Sequence, residues 1–126
     1  MNYYIETVHM TDKMHKNCLR FSSAESQEHI LTKLKICQYL KDNCIDFITE
    51  CRFKRGGRAD IYILKNNKSI EILKTEKNTN IVIKQNKYPG EIIIYDLKNP
   101  PKNFENWAEE NLKTINEWLN HELCGL

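Results

Sequence analysis

The chain has 126 residues, a length that fits one domain around one hydrophobic core and leaves no room for two independent cores. Hydrophobic residues make up 40% and charged residues 29%, values that belong to soluble globular proteins and exclude disordered and membrane-embedded classes. Nineteen Lys and Arg against 17 Asp and Glu give a formal charge of +2, so attraction to a polyanion would have to come from a local cluster.

Residues 2 to 8 read as a short strand with Tyr3, Ile5 and Thr7 on one side, and residues 11 to 23 are polar and unpatterned. Ser22, Ser23 and Ser26 offer caps to a segment with apolar residues at Ile30, Leu31, Leu34, Cys37 and Leu40, which predicts an amphipathic helix over about 26–42. Two runs, 46–53 and 58–64, flank Lys54-Arg55-Gly56-Gly57 and predict a hairpin. Asn66-Asn67-Lys68 then turns the chain into a third strand, 69–73. Residues 79–88 form a short helical candidate stopped by Pro89-Gly90, and 91–97, with Ile92-Ile93-Ile94, suit a strand buried on both faces. After Pro100-Pro101, Phe104, Trp107, Ala108, Leu112, Ile115, Leu119 and Leu123 mark a covering helix over about 103–123, capped by Asn103. No repeat, low-complexity tract or linker divides residues 1–126, so a single α/β domain is expected. No apolar run approaches the roughly 20 residues of a membrane span, and the first residues lack the blocks of a signal peptide, so a cytoplasmic address is expected.

Five cysteines without a secretory signal argue against a disulfide framework. Cys37, Cys44 and Cys51 read as small structural hydrophobes. His15-x-x-Cys18 and His121-x-x-Cys124 repeat one spacing, and together would supply four tetrahedral zinc ligands joining the termini.

Two acids stand inside apolar strands. Asp60 lies beside Ile61, and strict alternation points it opposite to Ile61 and Ile63; Glu71 lies between Ile70 and Ile72. A carboxylate there is costly unless paired or liganded. If the two strands are neighbours, both carboxylates can converge on one face and suit a hard dication such as magnesium. The alternative is pairing with a lysine or exposure to solvent. Upstream, Arg52, Lys54, Arg55 and Arg58 hold four of the seven positions from 52 to 58, either as a solvated hairpin tip or as a phosphate-steering patch.

The ordered string Ser26-Gln27-Glu28-His29-x-x-x-Lys33, Thr49-Glu50, Gly57-Arg58-Ala59-Asp60-Ile61, Ile70-Glu71-Ile72-Leu73 and Lys84-x-x-x-Tyr88-Pro89 resembles the PD-(D/E)xK nuclease superfamily, particularly its competence-protein-like branch. The resemblance covers about residues 25–97. It implies a restriction-endonuclease-like mixed sheet of order α-β-β-β-α-β flanked by helices, with the C-terminal helix as an addition, and metal-dependent hydrolysis of nucleic acid, with DNA favoured. It places Mg2+ or Mn2+ between Asp60 and Glu71, with Glu28 reaching the metal directly or through water. His29, Lys33 and Glu50 fall in a second tier. Ala59 replaces the proline of the family name. Leu73 occupies the family's lysine position, and Lys84 is the substitute, with Lys87 three residues on; Lys74 would face the other way. The rival expectation is a binding module with a disabled site, for which Leu73 speaks. Many members of the superfamily dimerise, which extends the expectation to a homodimer, although no dedicated interface stripe is visible.

Overall fold

The structure, a computed structural model, describes residues 15–54, 56–73, 83–84, 88–97 and 104–122, with side chains in the last segment from residue 113. In chain order the elements are α1 (Gln27–Asp42), β1 (Phe47–Arg52), β2 (Arg58–Ile63), β3 (Lys68–Leu73), β4 (Glu91–Asp96) and α2 (Phe104–Glu122). Helix α1 starts where the capping pattern predicts. Ser26 is extended, and its hydroxyl accepts the His29 backbone N–H at 3.2 Å, satisfying one of the donors a helix start leaves open.

The strands form one mixed sheet in the order β1-β2-β3-β4. The first two pairs are antiparallel, as short turns allow, and β3 pairs with β4 in parallel, from Lys68↔Glu91 to Leu73↔Asp96. A parallel neighbour requires a crossover, and the chain between β3 and β4 supplies it; most of the helix expected over 79–88 lies outside the described residues, as does the strand expected over 2–8. One face of the sheet carries the main core. There Ile36, Cys37 and Leu40 of α1 and Ile115 and Leu119 of α2 meet Phe47, Ile61, Ile63, Ile70, Ile72, Ile93 and Tyr95. The indole of Trp118 stands edge-on to Tyr95 at 5.2 Å. The second face carries a smaller cluster of Ile48, Cys51, Phe53, Ala59, Tyr62 and Tyr88.

The outer edge of β1 is occupied by the polar segment that precedes α1. The Asn17 N–H donates to the Phe47 carbonyl at 2.8 Å, and the Phe47 N–H donates to Asn17 Oδ1 at 3.0 Å. Two residues on, the Thr49 hydroxyl donates to the Cys18 carbonyl at 2.6 Å and accepts the Arg20 N–H at 2.9 Å. Of the cysteines read as structural, Cys37 and Cys51 are buried, and burial pushes both thiols up to about 12. Cys44 is instead exposed, because α1 stops at Asp42 and Cys44 sits at φ +57 in the turn beyond it. Among the described residues, no helix is long and apolar enough to cross a membrane.

Candidate metal centre

The site begins with a defect in the β1–β2 ladder. Thr49 pairs with Ile61 and Cys51 with Ala59, but Glu50 and Asp60, which stand opposite one another between them, do not pair. Glu50 adopts φ +53, a conformation that side chains other than glycine seldom take. Strand alternation breaks at this point: Cys51 and Phe53 join Ile48, and Ala59 joins Tyr62, on the second face. Both acids are thereby turned toward α1. Asp60 does not lie opposite to Ile61 and Ile63 as strict alternation predicts; it meets the helix that packs over them.

A second irregularity gives Asp60 room. The paired residues of β2 and β3 run from Ile63↔Lys68 to Ile61↔Ile70 and stop, although both strands continue. Beyond that point Asp60 Oδ2 accepts the Ile72 N–H at 2.8 Å, replacing a main-chain acceptor. The carboxylate therefore sits in the fork where the strands part. Its α1 neighbour is His29, whose Nε2 lies 3.4 Å from Asp60 Oδ2, while the other ring nitrogen, Nδ1, lies 3.4 Å from Glu25 Oε2. Burial works to raise the Asp60 pKa, but the His29 and Ile72 hydrogen bonds outweigh it and hold the group below its usual range. For His29, burial acts to lower the pKa, and Asp60 and Glu25 reverse that into a net increase.

Behind Glu25 lies a buried ammonium. Lys33 is fully enclosed, and its Nζ donates to the Arg20 carbonyl at 3.0 Å, to Glu25 Oε1 at 3.0 Å and to Glu50 Oε1 at 2.5 Å. All three ammonium donors are used, as burial of a charge requires. Arg58 Nε closes the far end on Glu50 Oε2 at 2.9 Å. Burial raises Glu50, and its hydrogen bond with Glu25 adds to that; Glu25 is held low, against burial, by the same bond and by Lys33.

Glu71 approaches Asp60 from the other side. Ile70 and Ile72 face the helices, so Glu71 points to the second layer. The expected convergence on one face is corrected accordingly: the two acids turn to different faces, because Asp60 has left the alternation that Glu71 keeps, yet the Asp60 charge still reaches Glu71. Burial, and then the Asp60 charge, push the Glu71 carboxyl up to about 8. Lys84 Nζ stands 3.4 Å from Glu71 Oε2. The Tyr88 hydroxyl, which donates to the Arg58 carbonyl at 2.6 Å, is raised by burial first and then by Glu71.

Glu25, His29 and Asp60 are, among the described residues, the group whose ligand atoms all lie within 4.8 Å of one another. Of the three acids expected at the metal, only Asp60 belongs to it. Glu28 lies on the first turn of α1, where its backbone carbonyl accepts the Thr32 hydroxyl. Nothing in the motif spacing singles out Glu25, which precedes the N-cap; the one available signal is its position four residues before His29. Among the described residues, four buried polar side-chain atoms lack a hydrogen-bond partner, and three of them, Glu25 Oε2, His29 Nδ1 and Glu71 Oε1, belong to residues around Asp60. Because Glu25 Oε2 and His29 Nδ1 face each other at 3.4 Å, the atom left unmatched is Glu71 Oε1; with the Asp60 carboxylate and the His29 imidazole it makes a donor set that fits a dication.

The basic cluster divides. Arg52, Phe53, Gly56, Gly57 and Arg58 line an open depression of about 520 Å³. Arg52 and Lys54 are exposed, whereas Arg58 is half committed to Glu50. Arg55, Lys74 and Lys87 lie outside the described residues, and so does Cys124, one of the four expected zinc ligands; His121 faces Glu122 at 3.4 Å. Comparison with known proteins finds no matching family model, no similar curated protein and no similar solved structure.

Proposed function

We propose that the chain is a divalent-metal-dependent nuclease, with Asp60 and Glu71 as the acidic pair that holds the cation. The observation that carries this reading is the buried Glu71 Oε1, which has no hydrogen-bond partner, together with the Glu25, His29 and Asp60 group, whose ligand atoms lie within 4.8 Å of one another. Buried polar atoms are normally satisfied, and an exception beside a group of ligand atoms points to a bound ion or a catalytic role. The sheet order, with three antiparallel strands and a parallel fourth, agrees with the mixed sheet of the restriction-endonuclease-like fold implied by the motif order. Mg2+ or Mn2+ held there would acidify a bound water and stabilise charge on a phosphate. Asp60 is kept ionised for it by the Ile72 N–H and His29. Lys84, beside Glu71, takes the role of the ammonium lost at Leu73 and contacts developing charge. Arg52 and Lys54 on the hairpin steer the backbone of a nucleic acid, with DNA favoured.

The test is incubation with labelled single-stranded, duplex and branched DNA and with RNA, in magnesium, in manganese and with chelator. Cleavage that needs the metal and disappears in Asp60→Asn supports the reading; cleavage that persists in Asp60→Asn removes it. A second reading, a binding module on the same fold, is favoured by Leu73, an apolar residue at the end of β3 where the family pattern has lysine. Binding without cleavage in either metal would select it.

A further inference from the structure

We infer that His29 is itself a ligand of the cation at Asp60, presented by Glu25 and, behind Glu25, by the buried Lys33, so that the centre takes manganese-type transition dications in preference to magnesium. The inference rests on the metal reading above and adds an imidazole to it. Three separations define the arrangement: Lys33 Nζ to Glu25 Oε1 is 3.0 Å, Glu25 Oε2 to His29 Nδ1 is 3.4 Å, and His29 Nε2 to Asp60 Oδ2 is 3.4 Å. The two ring nitrogens point in opposite directions, so Glu25 addresses one while Asp60 and the fork receive the other. With metal–ligand bonds of about 2.1 Å, two adjacent ligands lie about 3.0 Å apart at an octahedral angle and about 3.4 Å apart at a tetrahedral one. His29 Nε2 and Asp60 Oδ2 stand 3.4 Å apart, at the wide end of that span.

Metal-bound histidines characteristically donate their second N–H to a carboxylate, which fixes tautomer and ring orientation. Glu25 occupies that place, and Lys33, with no exposed surface, fixes Glu25 in turn. Lys33 is thus a positioning residue: its three bonds leave it committed away from any water at the metal. A second observation at the same centre is Glu71, whose side chain is 5% exposed and whose Oε1 has no hydrogen-bond partner. Imidazole suits first-row transition dications such as iron, nickel and zinc, and manganese stands at the weak end of that series, whereas magnesium prefers oxygen donors and water.

The experiment loads the whole chain with Mn2+ and records pulsed electron paramagnetic resonance, in which a directly bound imidazole nitrogen modulates the electron spin echo. Calorimetric titrations with Mn2+ and with Mg2+ run alongside. Wild type should show the nitrogen modulation; His29→Ala and the closer isostere His29→Asn, both checked for folding by circular dichroism, should lose it. Mn2+ affinity should fall in these variants by more than Mg2+ affinity, and Glu25→Gln should lower Mn2+ affinity about 10–100-fold, the usual effect of removing a carboxylate behind a metal-bound histidine. Glu91→Gln, whose exposed carboxylate pairs with Lys68, should change neither. Mn2+ bound at Asp60 without nitrogen modulation, or with unchanged affinity in both His29 variants, overturns the histidine ligand and leaves the Asp60–Glu71 reading standing. Failure of wild type to bind either cation overturns both.

Discussion

At the scale of single residues the site is governed by what burial does to charge. Lys33 is the sharpest case, because replacing a fully enclosed ammonium removes a partner from two buried carboxylates at once. Lys33→Met, matched in shape, should destabilise the protein by about 3–5 kcal/mol in denaturant unfolding, the cost of leaving buried charge uncompensated. Adding Glu25→Gln should recover part of that loss. Glu71 gives a pH dependence of definite sign in the metal-free protein. Its folded pKa, about 8, lies above the ordinary value of 4.5, so the folded state binds the extra proton between those limits. The stability contributed by the protonated form is complete below about pH 4.5 and is lost as pH rises through 8. Glu71→Gln should therefore be more stable than wild type at pH 9, by a few kcal/mol at most, with the difference vanishing near pH 4, as thermal unfolding in chelator can measure. The acids themselves were legible in the sequence, because charge inside an apolar strand is conspicuous. Glu25 was not, since a glutamate in a polar stretch before a helix looks like any other until the fold sets Lys33 and His29 against it.

At the scale of elements the sequence was most informative where periodicity is strong. Helix α1, the three-strand meander, β4 and α2 fall within a residue or two of the expected bounds, because apolar spacing and caps are local signals. Where sequence failed, the cause is cooperative. The break in alternation at Glu50 and Asp60 needs two strands to distort together, and no single-strand pattern encodes it. The hairpin beyond it depends on Gly57, which has φ +88 and where an added Cβ would lie 2.6 Å from Tyr88 Cε1. Gly57→Ala should cost about 1–3 kcal/mol from backbone strain and displacement of Tyr88, whereas Gly56→Ala, at φ +100 but with nothing within 4 Å, meets strain alone and should cost less. Comparing their unfolding midpoints separates the steric contribution of Tyr88.

For the molecule as a whole, the proposed nuclease activity turns on which residue supplies the ammonium that Leu73 does not. Lys84→Ala should keep Mn2+ binding, since the carboxylates remain, yet reduce cleavage on the order of a hundredfold if Lys84 serves the transition state. Leu73→Lys should restore part of that loss if the side chain reaches the cleft. Equal rates in wild type and Lys84→Ala would assign the positive charge to another residue. A final consequence follows from Thr49, whose hydroxyl both gives and receives a bond to the segment leading into α1. That single group acts as a clasp on the sheet's outer strand. Thr49→Val keeps the shape but opens this clasp, leaving the Asn17–Phe47 pair to hold the segment and making the edge of β1 easier to expose for pairing with another molecule. The variant should remain folded when dilute and self-associate more readily than wild type as concentration rises, a change visible by light scattering, so that one methyl-for-hydroxyl exchange shifts the balance between dispersed and associated protein.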